Sequence, residues 1–397
     1  MEEKYFPFDD VIELFKKIKK IHPNMFFKIS EPKFVEEVEK SGENWDNLTI
    51  NEKYYELMRL NALIGDLHTS ITMPGSKNVS YPFMMKKCKE GIFVYKITKG
   101  FPESVLYSKV LAINDIPIEE VIEMAKKIIS SESPDAFENI ALKKFCNPTF
   151  MQILGVSKNG EIKLTINDGG KVVSYPVFPF VSRTENKSKD YNHAIKIKDD
   201  YVLVDIRSFK EQSDNFLSKI YYEVDKAFDD GKPVIVDVRG NGGGKTKLFI
   251  PLCDSMRASG GKAFCLIDNN SFSASVVLAD EFKKLGGVLV GDTMAQSSTF
   301  YSGAKQIITK NGIEAKVSTV LTRGYKTSKG EREIFRDALT PRSVNLYDEA
   351  VKPDIQIVPS IEDLKKGRDA AMEYCLNEVR KINKAPKEKF EKITFVP

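Results

Sequence analysis

The chain is poor in the groups on which most site chemistry depends. Among 397 residues there are only three histidines, His22, His68 and His193. A mechanism that needs an imidazole base near neutral pH therefore has three positions to choose from. The five cysteines (Cys88, Cys146, Cys253, Cys265, Cys375) are odd in number, widely scattered and without a CxxC pair. That argues against a disulfide framework and a zinc site, and predicts reduced, mostly buried thiols. No segment approaches the ~18 uncharged apolar residues of a membrane helix. The opening MEEKYFPFDDVIELFKK has no cationic start leading into an apolar run, so a cytoplasmic chain is expected; a leader trimmed from ahead of it would leave no trace. An excess of one charge is also lacking. The 60 basic and 56 acidic residues leave +4, interspersed, which gives no nucleic-acid footprint and no basic membrane-binding helix.

Core-forming residues are plentiful. Hydrophobic content is 42%, with 25 Phe and 15 Tyr, and the length suggests two or three domains. From Phe8 to Leu67 apolar residues recur three and four apart, predicting helices over VIELFKKIKKIH, FVEEVEK and NEKYYELMRLNALIGDLH. Thr49 with Glu52 resembles a capping box at the start of the last. From Ser70 to Phe180 the period shortens to strands (GIFVYKI, KVLAIND, EIKLTIND, KVVSYPVF), with a helix IEEVIEMAKKII among them. Residues Arg183 to His193 are polar and aperiodic and read as a linker. Beyond them strand and helix alternate, predicting a mainly parallel sheet flanked by helices. KQIITK and EAKVSTVL read as a hairpin turning on Asn311 and Gly312, and IEDLKKGRDAAMEYCLNEVRKI as an exposed closing helix.

Two strand ends carry chemistry. PVIVDVRGNGGG runs from a buried strand into three glycines, which puts bare backbone N–H groups at a sheet mouth. FCLIDNNSFSASVVLADEF sets hydroxyls at the start of an apolar helix, where free amides and the helix dipole favour negative charge. Ser273 is the candidate nucleophile, with the amides of Gly242, Gly243 and Ala274 as an oxyanion hole. The plainer reading is that Ser271, Ser273 and Ser275 cap the helix and that the glycines make a turn. GNGGGKT lacks the spacing of a phosphate-binding loop, and Asp237 and Arg239 fit a role in tying down the strand end. His68, in IGDLHTSITM at a helix end, is the candidate base; it reads equally as a half-buried histidine bonded to backbone. His22 precedes Pro23, and His193 falls in the polar linker, where a solvated role is the simple account. Asp348 and Glu349 are the candidate acids to orient His68, with Asp66 and Glu331 behind them; any could be a surface charge.

In this order, GDLHTS, VDVRGNGGG, SFSASVVLADEF, VGDT and VKPDI resemble the tail-specific (C-terminal-processing) serine peptidase family, over roughly residues 60–360. The resemblance implies a crotonase-like or ClpP-like α/β core and serine-type peptide hydrolysis, often of substrates with unstructured C-termini. It also implies a PDZ-like module, although KKCKEGIF stands where a carboxylate-binding GLGF-like loop is expected. The expected organisation is a helical cap at 1–70, a PDZ-like module at 71–182 and the peptidase core at 183–397. Family members with a Ser–Lys dyad carry the lysine shortly after a G-E-x-T segment. Here GDTMAQSSTFYSG has none, and Lys305 falls several residues too late. The sequence is more similar to the tricorn-type branch, whose base is a histidine in a segment like GDLHTS, supported by a glutamate near the domain's C-terminal end. Asp348 and Glu349 stand closer to the Pro-Asp pair than that glutamate often does, which leaves the acid open. The reading implies a peptide or unfolded-protein substrate and no metal or organic cofactor. Its alternatives are a peptide-binding protein that no longer hydrolyses and a crotonase-like acyl-CoA enzyme.

Overall fold

The computed structural model describes residues 6–75, 78–181, 193–210, 214–323, 326–328, 331–333 and 349–384. The alternating half of the sequence builds a six-stranded sheet in the order His193–Ile197, Val202–Ile206, Val234–Asp237, Ala263–Ile267, Val288–Gly291, Ile355–Gln356. Its first pair is antiparallel and the others are parallel. Parallel strands are covered on both faces by their crossover helices, so they read as unbroken apolar runs. Side chains alternate between those faces. Val204, Val236, Cys265 and Leu289 pack with helices Ile250–Ser259 and Ala274–Lys284. Leu203, Ile235, Phe264 and Val290 meet Ala371, Cys375 and Val379 of helix Ala370–Lys384.

The first half packs three helices, Phe8–Ile21, Glu31–Gly42 and Ile50–Ile64, with an antiparallel sheet. That sheet runs Phe83–Cys88, Gly91–Ile97, Lys109–Ile113, Ile162–Asp168, Lys171–Val177. The Thr49–Glu52 capping box is formed. One continuous hydrophobic cluster joins the helices to the sheet. Besides the anticipated helix at Ile118–Lys126, this half contains Pro134–Lys144 and Pro148–Ile153, each opened by a proline, whose fixed φ suits a first helical position. Neither was expected from periodicity.

The hairpin Thr299–Ile308 with Glu314–Arg323 links the two halves. Phe300, Tyr301 and Leu321 enter the core of the parallel sheet, while Ile307, Ile313, Ala315 and Val317 belong to the other cluster. Ser70–Ile71, just after His68, pairs with Lys316 and Ala315 on the same hairpin.

Two expectations are corrected, one at His193 and one in the closing helix. His193 is the first residue of an edge strand, 1% exposed and edge-on to Phe209, not a solvated linker residue. His22 is also buried, facing Asp66. The closing helix breaks at Gly367 (φ +61°), and its second part buries Ala371, Cys375 and Val379, a spacing of four that makes one apolar stripe. The five cysteines are unpaired, four buried and Cys146 half-buried. No described helix is long and apolar enough to cross a membrane.

Candidate active site

Strands Val234–Asp237 and Ala263–Ile267 are parallel neighbours, so the segments leaving their carboxyl ends emerge side by side. Three serines in a span of five residues follow the second strand, and only two of them are spent on structure. Ser271 Oγ donates to the Val238 carbonyl (2.9 Å), and Ser275 Oγ to the Asn241 carbonyl (2.9 Å); both are fully buried. Ser273, half-exposed between them, has φ +58° and ψ −117° at the N-terminus of helix Ala274–Lys284. A non-glycine residue in that region costs on the order of 1–3 kcal/mol and persists only where its surroundings over-determine it. Here the Phe272 N–H is bonded to the Asn241 carbonyl (2.9 Å) and the Ser273 N–H to Gln296 Oε1 (2.8 Å).

The glycine loop is held by Asn241, fully buried between Gly240 and Gly242, whose Nδ2 donates to the Ile206 carbonyl (3.0 Å). Its Oδ1 accepts the Gly243 N–H (2.8 Å), so that amide is committed to the loop. The amides of Gly242 and Ala274 have no partner among the described residues. Gly243 has a steric role instead. At φ +95°, a Cβ there would fall 2.6 Å from Ser273 Cβ and 2.9 Å from the Ala274 nitrogen. Only glycine lets this loop lie against the serine. Arg239 ties the strand end down, with paired contacts to Asp237 and to Asp369 (2.7–2.9 Å). A cleft of about 240 Å³ opens beside this pair, lined by Lys86, Asp268, Asp292 and Arg368 among others, and excludes Ser273 and His68.

His68 follows a helix stopped by Gly65 (φ +76°) and precedes the strand paired to the hairpin. Its ring stacks on Phe272 (centroids 4.6 Å apart) and Phe300 (5.5 Å), which places it beside the serine turn. Its backbone N–H donates to Asp66 Oδ1 (2.9 Å). Asp66 Oδ2 accepts from Thr69 Oγ1 and Ser318 Oγ (both 2.6 Å) and faces His22 Nε2 at 3.1 Å. Because His22 Nδ1 accepts the Asn24 N–H, the His22 proton sits on Nε2 and is donated to Asp66. Burial alone would raise the Asp66 carboxyl; the hydrogen bond from His22, helped by His68 and Ser318, brings it below its ordinary value. Burial lowers the His68 imidazole, against the Asp66 charge and a bond to the Tyr301 carbonyl. A histidine lowered in this way is neutral at neutral pH and can accept a proton.

Two residues outside the expected set enter the site. Gln296 lies in the GDTMAQSSTFYSG stretch that lacks a lysine. Its Nε2 donates to Glu132 Oε2 (2.9 Å) and faces His68 Nδ1 (3.4 Å). Glu132, from the loop before helix Pro134–Lys144, also accepts the Leu67 N–H (3.1 Å). Burial, then the Asp66 charge, holds its carboxyl well above the usual range, against Gln296, Leu67 and Lys28. Neither residue carries a sequence signal, since a buried glutamate looks like any other until the loop containing it is docked. Asp66, His68 and Glu132 offer donor atoms within 4.8 Å of one another. Both carboxylates already accept protein hydrogen bonds, so the set reads as a closed network, not an open metal cage.

Of the candidate acids, Asp348 lies outside the described residues. The Glu349 carboxylate is 69% exposed, pairs with Lys352 and makes no hydrogen bond to His68. Its segment does run beside the site, because Val351 N–H donates to the Gln296 carbonyl and Met294 N–H to that of Val351. Glu331 opens a short strand, Glu331–Glu333. No hydrogen bond joins Ser273 Oγ to His68 among the described residues; Gln296 connects the two instead.

No protein-family model and no curated protein sequence matches the chain. Solved structures do. Mature CPAF complexed with lactacystin is similar over 95% of this chain and 99% of its own, at TM-score 0.64 and 11% identity. Mature CPAF alone gives 95% and 97%, TM-score 0.63 and 13% identity. A CPAF point mutant gives 96% and 98%, TM-score 0.66 and 10% identity. The fold of this chain is thus similar to that of CPAF over nearly the full length of both.

Proposed function

We propose that the chain is a serine peptidase of the tail-specific family, acting on extended peptides through an acyl-enzyme. The observation that carries this reading is the turn at Ser273. A strained, half-exposed serine flanked by two serines with committed hydroxyls has the open amides of Ala274 and Gly242 nearby. In the reaction Ser273 Oγ attacks the scissile carbonyl carbon as its proton passes to the neutral His68. The carbonyl electrons move to an oxyanion received by the Gly242 and Ala274 N–H groups. His68 returns the proton to the leaving amine, and water hydrolyses the ester by the same steps. With Glu349 exposed, orienting His68 falls to the Tyr301 carbonyl and the Asp66 charge. The parallel sheet supports the crotonase-like reading of the core, and the antiparallel sheet with its helices the PDZ-like reading of the module. The rings of Phe272 and Phe300 beside His68 favour apolar side chains near the scissile bond.

One observation favours a second reading, a peptide-binding protein that no longer hydrolyses: the missing hydrogen bond between Ser273 Oγ and His68. Fluorophosphonate labelling decides between them. The peptidase reading expects modification at Ser273 that disappears in Ser273→Ala and His68→Ala. Absence of labelling in folded wild-type protein supports the binding protein. Lactacystin, carried by the similar CPAF structure, is a second probe.

A further inference from the structure

We propose that Glu132 is a positioning residue which, through Gln296, fixes both the tautomer of His68 and the backbone of Ser273. The inference deepens the serine-peptidase reading and rests on it. Gln296 has one carbonyl and one NH₂ group, and the structure uses both. Its Oε1 must face Ser273, because a backbone N–H can only donate (2.8 Å). Its NH₂ is then directed at Glu132 Oε2 (2.9 Å) and His68 Nδ1 (3.4 Å). An amide N–H offered to Nδ1 requires a lone pair there, so the single proton of neutral His68 sits on Nε2. The basic lone pair is thereby kept on the side that faces the Gln296–Ser273 contact.

Glu132 makes this arrangement single-valued. Each of its oxygens accepts from a different donor, Leu67 N–H and Gln296 Nε2–H, and the residue is 2% exposed. The Leu67 contact anchors the carboxyl to the segment carrying His68, and the Gln296 contact to the segment that holds Ser273. A glutamine at 132 satisfies only one of the two donors and turns its own NH₂ toward the other. An alanine satisfies neither and leaves Gln296 free to rotate. Glu132 itself touches no reacting atom; it acts through Gln296.

Three histidines make the test direct. In ¹⁵N-histidine spectra of the full chain, His68, assigned by loss of its signals in His68→Ala, is expected as the Nε2–H tautomer. Glu132→Ala is expected to bring in the Nδ1–H form and to slow fluorophosphonate labelling of Ser273 on the order of 100-fold, the size of effect a misplaced reacting group produces. Glu132→Gln should lie between alanine and wild type. In a Gln296→Ala background, Glu132→Ala should add nothing, since its route to the site is gone. A wild-type His68 protonated on Nδ1, an unchanged tautomer in folded Glu132→Ala, or fully additive losses in the double variant would each overturn the proposal. If the alanine variant fails to fold, the glutamine variant decides by the same spectrum. The spectrum needs no turnover, so a tautomer that responds in a protein whose Ser273 is never labelled rejects the peptidase reading and keeps the positioning role.

Discussion

Ser273 and His68 are held in different ways. The serine depends mainly on segments that leave adjacent strands of one sheet, the glycine loop, its Asn241 clamp and the first turn of helix Ala274–Lys284, with Gln296 tying its backbone N–H to the network around His68. The histidine depends on side chains from stretches far apart in the chain, with His22 and Ser318 converging on Asp66 and Glu132 arriving from another loop. A local device tolerates change elsewhere, whereas an assembled one fails when any contributor is removed. Substitutions should separate the two.

The largest effects are expected where the reaction itself is touched. Ser273→Ala should abolish fluorophosphonate labelling with the thermal midpoint unchanged within a few degrees, or raised, since Ser273 Oγ makes no hydrogen bond among the described residues. His68→Ala should also abolish labelling, and retained labelling would remove His68 as the base. In wild type, burial lowers the His68 imidazole, so the labelling rate should hold below the ordinary histidine value of 6.5 and be lost at more acid pH. An acid limb above 6.5 would contradict that environment.

Next comes the assembled half. Asp66→Asn places an NH₂ among four donors, the His68 N–H, His22 Nε2–H, Thr69 Oγ1–H and Ser318 Oγ–H. The expected loss is about 3–5 kcal/mol, read from denaturant midpoints, together with slowed labelling. The pH dependence has opposite signs for the two buried carboxyls. Asp66, lowered in the fold, contributes fully above its ordinary 3.8 and loses that contribution as pH falls through its folded value. Glu132, raised in the fold, binds its proton more tightly there than in the unfolded chain. Its contribution declines as pH rises above the ordinary 4.5, until the raised folded value is passed. Glu132→Gln should flatten that decline.

The local half is probed by a pair of glycines. Gly243→Ala should slow labelling on the order of 100-fold, because the new methyl displaces Ser273. Gly240→Ala has a similar positive φ (+73°) but open space around it, so it should cost about 1 kcal/mol and leave labelling within a few-fold of wild type. Equal effects would mean that backbone strain, not contact with Ser273, is the reason for Gly243. The smallest effect is expected for Glu349→Gln. An exposed pair with Lys352 contributes a few tenths of a kcal/mol, and labelling should stay within about twofold. A large loss would identify Glu349 as the acid that orients His68.

What could be read from the amino-acid order was what repeats or is local. Unbroken apolar strands alternating with amphipathic helices implied the parallel sheet, and Thr49 with Glu52 marked a helix start that the structure forms. Asn311 and Gly312 marked the hairpin turn, and the glycine and serine runs marked the two strand ends that meet. Composition misled at His193, because a polar approach says nothing about the strand edge on which the residue lands. It was silent on His22, Glu132 and Gln296. Each becomes part of the site only when its segment is docked: His22 against Asp66, Glu132 against Gln296, and Gln296 against Ser273. The hydroxyls of Ser271 and Ser275 were likewise indistinguishable from that of Ser273 until the glycine loop came alongside to bind two of the three. Periodicity and turn chemistry act over a few residues, so sequence carries them directly. Partners for buried polar groups are chosen by the packing of distant segments, and for this protein that choice was made only by the tertiary structure.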